Sequence, residues 1–266
     1  MSRVAELLER AGAREFVGTQ RLDFHLLLFV TEGSAEHVVD FTVHSLREGT
    51  VLWIRPGMTH AWGDLSAFDG YVLAFPDGMF DARVETLGQI SCPYGPRHWT
   101  FDTALWERMS GQVRVLSELV ADSVMDDELR RSVTRSALES VLLQLRSLAD
   151  PAEPVAASTP VFLEFWDAVE AHFARRHSVA EYAKLLGYST RTLARASAES
   201  VGKSPKQVID DRILLEARRL LAHSELSIGR IGAALGFADQ SNFGSWFTAR
   251  AGVRPADFRR ALRAAA

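Results

Sequence analysis

The sequence predicts an α+β protein, with an N-terminal β-barrel followed by helices and a C-terminal all-α domain that contains two helix-turn-helix motifs. Three observations lead to this fold class. Short segments rich in Val, Leu, Phe and Trp alternate with turn residues near the N-terminus. Apolar residues at helical spacing fill most of the remaining chain. One helix-turn-helix pattern occurs twice near the C-terminus, and 266 residues are enough for two domains.

The N-terminal region reads as a small barrel or sandwich. Residues 4–20 predict a short helix and a lead-in. The predicted strands are FHLLLFV, HVVDFTV, VLWIRP and YVLAF, separated by TEGSAE, HSLREG and a loop around GMTHAWGDLSAFDG. Short strands of this composition, bounded by turn residues at close spacing, are typical of both architectures.

Two amphipathic helices and a linker follow. Residues 81–100 predict an irregular connector, and residues 103–123 and 127–148 each carry an apolar stripe at a spacing of three to four. Residues 150–160, DPAEPVAASTP, have no periodicity and predict a linker between domains. Amphipathic helices are then expected over residues 162–173 and 206–223.

The second helix-turn-helix motif spans residues 227–260. Gly236 can take the left-handed conformation that ends a helix, and Asp239 can cap the next one. In that helix Phe243 and Phe247 fall on one face. The opposite face carries short polar groups that can reach a base edge or a phosphate: Gln240, Ser241, Asn242 and Ser245.

The same pattern occurs earlier in the chain, and this repetition strengthens the prediction. SV, YA and LGY at 178–188 align with SI, IG and LGF at 227–237 at an offset of 49 residues. After one extra residue in the second turn, Leu193 and Ser197 align with Phe243 and Phe247 at an offset of 50. Two copies indicate two recognition helices on one rigid body rather than a solenoid.

Charge and composition limit the classes of function that the chain can have. The net charge of −4 divides unevenly: residues 160–266 hold sixteen Lys and Arg against eleven Asp and Glu, whereas residues 1–159 hold fourteen against twenty-three. A basic C-terminal module favours nucleic-acid binding, with chance clustering of solvated charges as the alternative. No signal peptide or membrane span is expected, and the single Cys92 leaves no internal disulfide or multi-cysteine zinc site.

The C-terminal part resembles the DNA-binding domain of the AraC/XylS transcription regulators. SVAEYAKLLGYSTRTLAR, GKSP, SIGRIGAALGFADQSNFGSWF and GVRPADFR carry this resemblance. Three residues depart from the family's usual pattern. Ser197 stands where a bulky side chain is usual, Gly232 where alanine is usual, and Ser245 where arginine is frequent.

Residues 49–60, GTVLWIRPGMTH, resemble the second cupin motif, with Arg55 in place of its first proline. The barrel is therefore expected to be a cupin-like sensing domain, with an effector pocket lined in part by Trp53, Arg55, His60 and Trp62. The alternative is that these side chains only fill the core. Residues 21–26 lack the His-x-His pair of cupin enzymes, so no metal and no cofactor is predicted.

The resemblance and the helix faces together predict the DNA contacts. Arginine suits guanine, and glutamine and asparagine suit adenine. Lysine and arginine outside the recognition helices are phosphate candidates, with plain solvated charge as the alternative. The predicted DNA-binding residues are Ser189, Thr190, Arg191, Thr192, Arg195, Gln240, Ser241, Asn242, Ser245, Lys203, Lys206 and Arg259, with Arg250 and Arg254 as further phosphate candidates.

The sequence thus predicts a cytoplasmic, non-catalytic, ligand-responsive transcription regulator that binds double-stranded promoter DNA. A small-molecule effector is the expected ligand. A second copy and RNA polymerase are candidate protein partners, and residues 103–148 either dimerise or pack within the chain. The alternatives are a metal-dependent cupin enzyme or metal sensor fused to a DNA-binding domain, and an architectural DNA-binding protein. The expected segments are 1–100 for sensing, 101–149 for the helices, 150–160 for the linker and 161–266 for DNA binding.

Overall fold

The computed structural model describes residues 1–12, 16–92, 94–148 and 159–265. The chain divides into two compact units, Met1–Glu153 and Pro154–Ala266. The strands are β1 Ser2–Arg3, β2 Thr19–Arg21, β3 Phe24–Val39, β4 Thr42–Arg47, β5 Thr50–Ile54, β6 Thr59–Ala61, β7 Phe68–Pro76 and β8 His98–Thr100. The helices are α1 Val4–Ala11, α2 Ala82–Gly88, α3 Thr103–Ala121, α4 Asp127–Ser147, α5 Pro160–His172, α6 Val179–Leu186, α7 Thr190–Val201, α8 Pro205–His223, α9 Ile228–Ala234, α10 Gln240–Ala251 and α11 Pro255–Ala265. The predicted fold class is confirmed.

The long strand β3 organises the N-terminal unit, because it pairs antiparallel with β4, β5, β6 and β7. The prediction that TEGSAE forms a turn is wrong. β3 runs through that segment with a bulge between Val30 and Glu32. Gly33 adopts a φ of +76° there, and a Cβ at this position would lie 2.2 Å from the Ala67 carbonyl oxygen. The hairpin turn instead falls at Asp40 and Phe41, inside the segment predicted as the second strand.

The strands bury apolar side chains on both faces. One face forms the barrel interior, where Leu28, Leu46, Leu52 and Ile54 share a core. Alternate residues of the same strands point the other way and share a second core with α2, α3 and α4. This second core includes Trp53, Trp106, Met109, Val113, Leu142 and Leu145.

Helices α3 and α4 therefore use their apolar stripes within the chain. The stripe residues Val113, Leu116 and Leu142 are fully buried. Gln112 and Gln144 also exchange two amide hydrogen bonds of 2.9 Å between the helices. The predicted irregular connector over 81–100 is wrong in part, since it contains α2 and β8. The predicted linker 150–160 lies, up to residue 158, outside the described residues.

The C-terminal unit is built around α8, which contacts α5, α7, α9, α10 and α11. Arg212 on this helix is buried, donates through Nε to both carboxylate oxygens of Glu170 at 2.9 Å, and lies over the Phe173 ring. Glu216, one turn further along α8, accepts from Arg212 Nη1 at 3.1 Å. These bonds satisfy a buried charge that would otherwise be costly, and they join α5 to α8. None of the described helices combines the length and apolarity needed to cross a bilayer.

Candidate functional site

The first helix-turn-helix unit consists of α6 and α7, and side chains cap both helices. Ser178 and Glu181 form a capping box at the start of α6, and Gly187 ends that helix at a φ of +71°. Ser189 caps α7 by accepting from the Thr192 backbone N–H at 3.0 Å. The hydroxyls of Ser189 and Thr192 lie 2.8 Å apart and share a hydrogen bond. Two of the predicted DNA-contacting side chains therefore also fix the start of the recognition helix.

The second unit, α9 and α10, repeats this arrangement at the predicted residues. Gly236 takes a φ of +81°, and Asp239 Oδ1 accepts from the Asn242 backbone N–H at 2.8 Å. The Asn242 side-chain amide also donates to Asp239 Oδ2 at 2.9 Å. This amide, predicted to read adenine, must leave its capping partner or use its oxygen to contact a base.

Buried residues fix which side of each recognition helix faces outward. Leu193 and Ser197 on α7 are fully buried, as are Phe243 and Phe247 on α10. The exposed predicted residues on the two helices are Thr190, Arg191, Arg195, Gln240, Ser241, Asn242 and Ser245. Arg195 keeps 75% of its side chain exposed, and its ion pair with Glu199 is long, at 3.9 Å. This guanidinium is accessible, and the forked N–H groups of arginine are the donors that suit the two major-groove acceptors of guanine.

The predicted phosphate contacts are mostly engaged inside the protein. Lys206 and Arg250 both pair with Asp210 at 2.7 Å, so one carboxylate holds two cations together. Lys203 pairs with Asp211 at 2.7 Å. Arg259 donates to the carbonyl oxygens of Leu221 and Leu226, near the end of α8. A DNA phosphate must therefore compete with these carboxylates and carbonyl oxygens for the same cations. This competition is weakest where the cation is exposed to solvent.

A shallow groove of about 630 Å³ runs beside α10. It is lined by predicted residues, Gln240, Ser241 and Ser245, and by Arg254 from the segment before α11. It also includes Gly244 and Thr248, which the sequence reasoning did not select. The sequence spacing could have identified both residues, because residues 241, 244, 245 and 248 share one helical face. The small side chains leave the backbone of α10 open to close approach.

In the barrel, the structure separates the four predicted effector residues into two pairs. His60 and Trp62 lie together at a ring-centroid distance of 5.4 Å, with Trp62 against the interior core. Trp53 lies on the opposite face of β5, in the core shared with α3 and α4. The expectation that all four line one pocket is therefore wrong. The reason is that β5 is buried on both faces. The sequence therefore shows no alternation of apolar and polar residues that would tell one face from the other.

Arg55 belongs to the Trp53 side and is almost fully buried, at 2% exposure. Its guanidinium donates to the carbonyl oxygens of Ile90, Gly95 and Pro96, and it stacks over Trp53 at 4.3 Å. Burial lowers the pKa of Arg55 to about 9. This arginine, standing where the cupin motif has proline, ties the loop before β8 to the end of β5.

His60 instead stacks on His37, which the sequence reasoning did not select for the pocket. The ring centroids lie 5.2 Å apart, and His37 Nε2 lies 3.0 Å from His60 Nδ1. Burial lowers the pKa of His37 to about 3 and that of His60 to about 4, so both rings are neutral near pH 7. In the described part of the chain, no group of three or more His, Cys, Asp or Glu has an arrangement that could hold a metal ion.

Comparisons with known proteins agree with this architecture. The AraC-like ligand binding domain family matches residues 4–145, and the helix-turn-helix domain family matches residues 182–261. The chain is 27% identical over 241 residues to the HTH-type transcriptional activator RhaS of Escherichia fergusonii, covering 89% of this chain and 85% of that protein.

Two solved structures are similar over different spans. ToxT from Vibrio cholerae aligns over 91% of this chain and 94% of its own, with 16% identity and a TM-score of 0.45. The DNA-binding domain of AdpA, a global transcriptional factor solved with a target DNA, aligns over 40% of this chain and 96% of its own, with 29% identity and a TM-score of 0.36.

A β-barrel unit followed by two capped helix-turn-helix units defines an effector-responsive, DNA-binding transcription regulator. The match to the ligand-binding family covers more than half of the chain. The chain belongs to the AraC/XylS family of transcription regulators.

Proposed function

We propose that this regulator reads promoter DNA with α7 and α10 in the major groove. One observation carries the proposal: both helices start at side-chain caps and turn polar or charged side chains outward. Arg191 and Arg195 supply guanine contacts, and Gln240 and Asn242 supply adenine contacts. Ser189, Thr190, Thr192, Ser241 and Ser245 add shorter contacts, and Lys203, Lys206, Arg254 and Arg259 position the domain on phosphates.

The N-terminal unit supplies the regulation in this proposal. A small-molecule effector binds in the barrel and changes how the C-terminal unit engages the promoter, as an activator that acts in the cytoplasm without catalysis. The similarity to a protein named as a transcriptional activator supports the direction of regulation. A second copy of the chain and RNA polymerase are the proposed protein partners. We place sensing in residues 1–100 with the helices of 101–149, and DNA binding in 161–266 after a linker at 150–160.

The test is selection of bound sequences from a random pool of duplex DNA with the full chain. One enriched motif is expected, and its affinity should fall linearly with salt on logarithmic axes, at a slope of about 0.9 per phosphate neutralised. The C-terminal fragment 160–266 should keep this slope, and the fragment 1–159 should not bind. An unenriched pool would contradict sequence-specific binding, and affinity residing in fragment 1–159 would contradict the domain roles.

Metal analysis of the purified chain tests the non-catalytic role. The regulator should contain no stoichiometric transition metal, because His60 has too few ligands around it in the described residues. One tightly bound metal per chain, lost in His60→Ala, would instead favour the cupin-enzyme or metal-sensor alternative.

A further inference from the structure

The two helix-turn-helix units touch each other directly, in addition to packing on α8. The segment before α6 meets the turn between α9 and α10, where His177 Nε2 donates to the Leu235 carbonyl oxygen at 2.9 Å. The His177 ring also lies 5.1 Å from the Phe237 ring, centroid to centroid. A Cβ on Gly236 would lie 2.4 Å from the Ala174 carbonyl oxygen. The start of the first unit is therefore packed closely against the turn of the second.

A set of charged side chains connects the same two units through α8, namely Lys206, Asp210 and Arg250, here called the Asp210 clamp. Asp210 Oδ1 accepts from Lys206 Nζ, and Oδ2 accepts from Arg250 Nη2, both at 2.7 Å. Lys206 Nζ also donates to the His177 carbonyl oxygen at 3.0 Å. Arg250 belongs to α10, where its guanidinium lies over the Trp246 ring at 4.6 Å. One carboxylate of α8 thus connects the residue before the α6 cap to the second recognition helix.

Asp210 is the buried member of the clamp. It is 8% exposed, whereas the side chains of Lys206 and Arg250 keep 47% and 31% of their surface exposed. Hydrogen bonds between charged groups are stronger than neutral ones, and partly buried pairs are screened less by salt. Without this carboxylate the polar connection from α10 to the first unit would be lost. The apolar core that α8 shares with α9 and α10 would remain, so the fold itself does not depend on the clamp.

The spacing between the two halves of a DNA target depends on how firmly two recognition helices are held. One added base pair moves the second half by about 3.4 Å along the duplex axis and by about 35° around it. Two helices fixed relative to each other cannot both follow this change, so one of them loses its base contacts. Two helices free to move can adapt to the altered target.

We propose that Asp210 is a positioning residue for DNA reading, which fixes α10 relative to α7 and so sets the spacing between the two halves of the target. Asp210 acts through Lys206 and Arg250 and does not itself contact DNA. The Lys206 ammonium has three N–H donors, so it can hold Asp210 and the His177 carbonyl and still offer the third to a phosphate. This inference rests on the proposed function, because it requires both recognition helices to read one target.

The experiment titrates the full chain with the duplex selected from the random pool and with duplexes that have one base pair inserted or deleted between the two halves of the motif. The wild-type chain should bind the altered duplexes roughly tenfold to a hundredfold more weakly, because the contacts of one recognition helix are lost. Asp210→Asn should lose only about threefold on the same change, because its second unit can follow the moved half-site.

Asp211→Asn is the matched control. Asp211 is the next residue of α8 and pairs with Lys203 at 2.7 Å, outside the clamp. Both variants remove one negative charge and weaken the hold on a cation, which changes the affinity for every duplex. The ratio of affinities for the original and the altered duplex cancels this charge effect, because the two duplexes differ by a single base pair. Asp211→Asn should therefore keep the wild-type ratio.

Arg250→Gln tests the same connection from α10. It removes the cation that joins α10 to the clamp and leaves the pair of Lys206 with Asp210 in place. Its ratio should relax to that of Asp210→Asn. Thermal unfolding accompanies each titration, because a general loss of folded protein lowers the affinity for all duplexes alike and leaves the ratio unchanged.

Three results would overturn the proposal: a wild-type chain that binds the altered duplexes as tightly as the original, unchanged ratios in Asp210→Asn and Arg250→Gln, or a ratio that relaxes as fully in Asp211→Asn as in Asp210→Asn. The wild-type chain on the random pool tests the proposed function separately. Enrichment of no motif would count against the proposed function and this inference together, whereas an enriched motif with any of the three results would count against the role of Asp210 alone.

Discussion

Arg195 and Ser245 lie two residues beyond the buried Leu193 and Phe243, at corresponding positions of the two recognition helices, yet they differ in reach. Arg195→Ala should cost roughly 1–3 kcal/mol at the specific site and relax the preference at one base pair, because a bidentate contact to guanine is lost. Ser245→Ala should change binding by about half a kcal/mol or less. Titrations of both variants on specific and random DNA at one salt concentration measure these losses.

The random DNA is the control in that comparison. Equal losses for Arg195→Ala on both DNAs would reduce this residue to a phosphate contact. A larger loss for Ser245→Ala than for Arg195→Ala would move sequence reading to the second unit.

A substitution at Gly244 should change stability and DNA binding in opposite directions. It lies within α10 with nothing within 4 Å of an added Cβ, and it lines the groove beside that helix. Gly244→Ala should therefore raise the free energy of unfolding by about 1 kcal/mol, through helix propensity. The same methyl should weaken DNA binding where the duplex approaches the α10 backbone. Denaturant unfolding and DNA titration of one preparation test both effects.

Gly111 provides the matched control, since it lies within α3 and its Cβ would also meet open space. Gly111→Ala should give a similar gain in stability with unchanged DNA affinity. Unchanged DNA affinity in Gly244→Ala would mean that the duplex does not approach this face of α10.

At the scale of elements, the two helix-turn-helix units place different residues at the corresponding contact between their two helices. In the first unit Ala183 on α6 and Leu193 on α7 are buried at the positions that Gly232 and Phe243 occupy in the second. A Cβ on Gly232 would lie 2.9 Å from the Phe243 Cβ. The contact is with the Phe243 Cβ and Cγ atoms, so α9 and α10 approach too closely here for the alanine that is usual in the family.

Gly232→Ala should consequently destabilise the C-terminal unit by about 1–3 kcal/mol, even though alanine is the better helix former. Adding Phe243→Leu should not recover the loss, because leucine keeps the Cβ and Cγ atoms that the new methyl would meet. Gly229→Ala in the same helix should be neutral or stabilising, since its Cβ would meet only the end of the flexible Gln240 side chain, at 3.0 Å. Thermal unfolding of Gly232→Ala, Gly229→Ala and the double variant measures these effects, and an undiminished melting temperature in Gly232→Ala would contradict the prediction.

The elements also differ in how far the sequence predicts them. The recognition helices were predictable because their signals are local: Ser189 and Asp239 cap them, and Gly202 and Gly252 end them in left-handed conformations. The barrel faces were not, because β5 is buried throughout, and period-two alternation disappears when both faces are apolar. The contact between His37 and His60 depends on strand register, which no local motif encodes.

For the whole molecule, the buried histidines predict a pH dependence of stability. Burial lowers the pKa of His25 to about 4, of His37 to about 3 and of His60 to about 4. In the unfolded chain these histidines become protonated near pH 6.5. In the folded chain they become protonated only at the lower pH set by their lowered pKa values. Stability is therefore fully present above pH 6.5 and falls between pH 6.5 and about 4, by about 1.4 kcal/mol per pH unit for each such histidine.

Calorimetry of the full chain between pH 5 and 7.5 tests this expectation. The transition of the N-terminal unit should move to lower temperature as the pH falls, because all three residues belong to it. His25→Phe should reduce the slope by about one proton. A transition that stays constant over this pH range would mean that the buried rings titrate normally.

Because α7 and α10 carry different outward side chains, a DNA site read in the proposed binding mode would have a direction. A pair of identical subunits related by a two-fold axis reads a palindrome, which is the same from either end. In the proposed binding mode, one end of the target would face the arginines of α7 and the other would face the serines and amides of α10. Helix α8, 19 residues and so about 28 Å long, joins these halves. Reversing the target on a promoter would exchange which of the two recognition helices lies nearer the start of transcription. The orientation of an operator would then affect regulation, in addition to its sequence and its position.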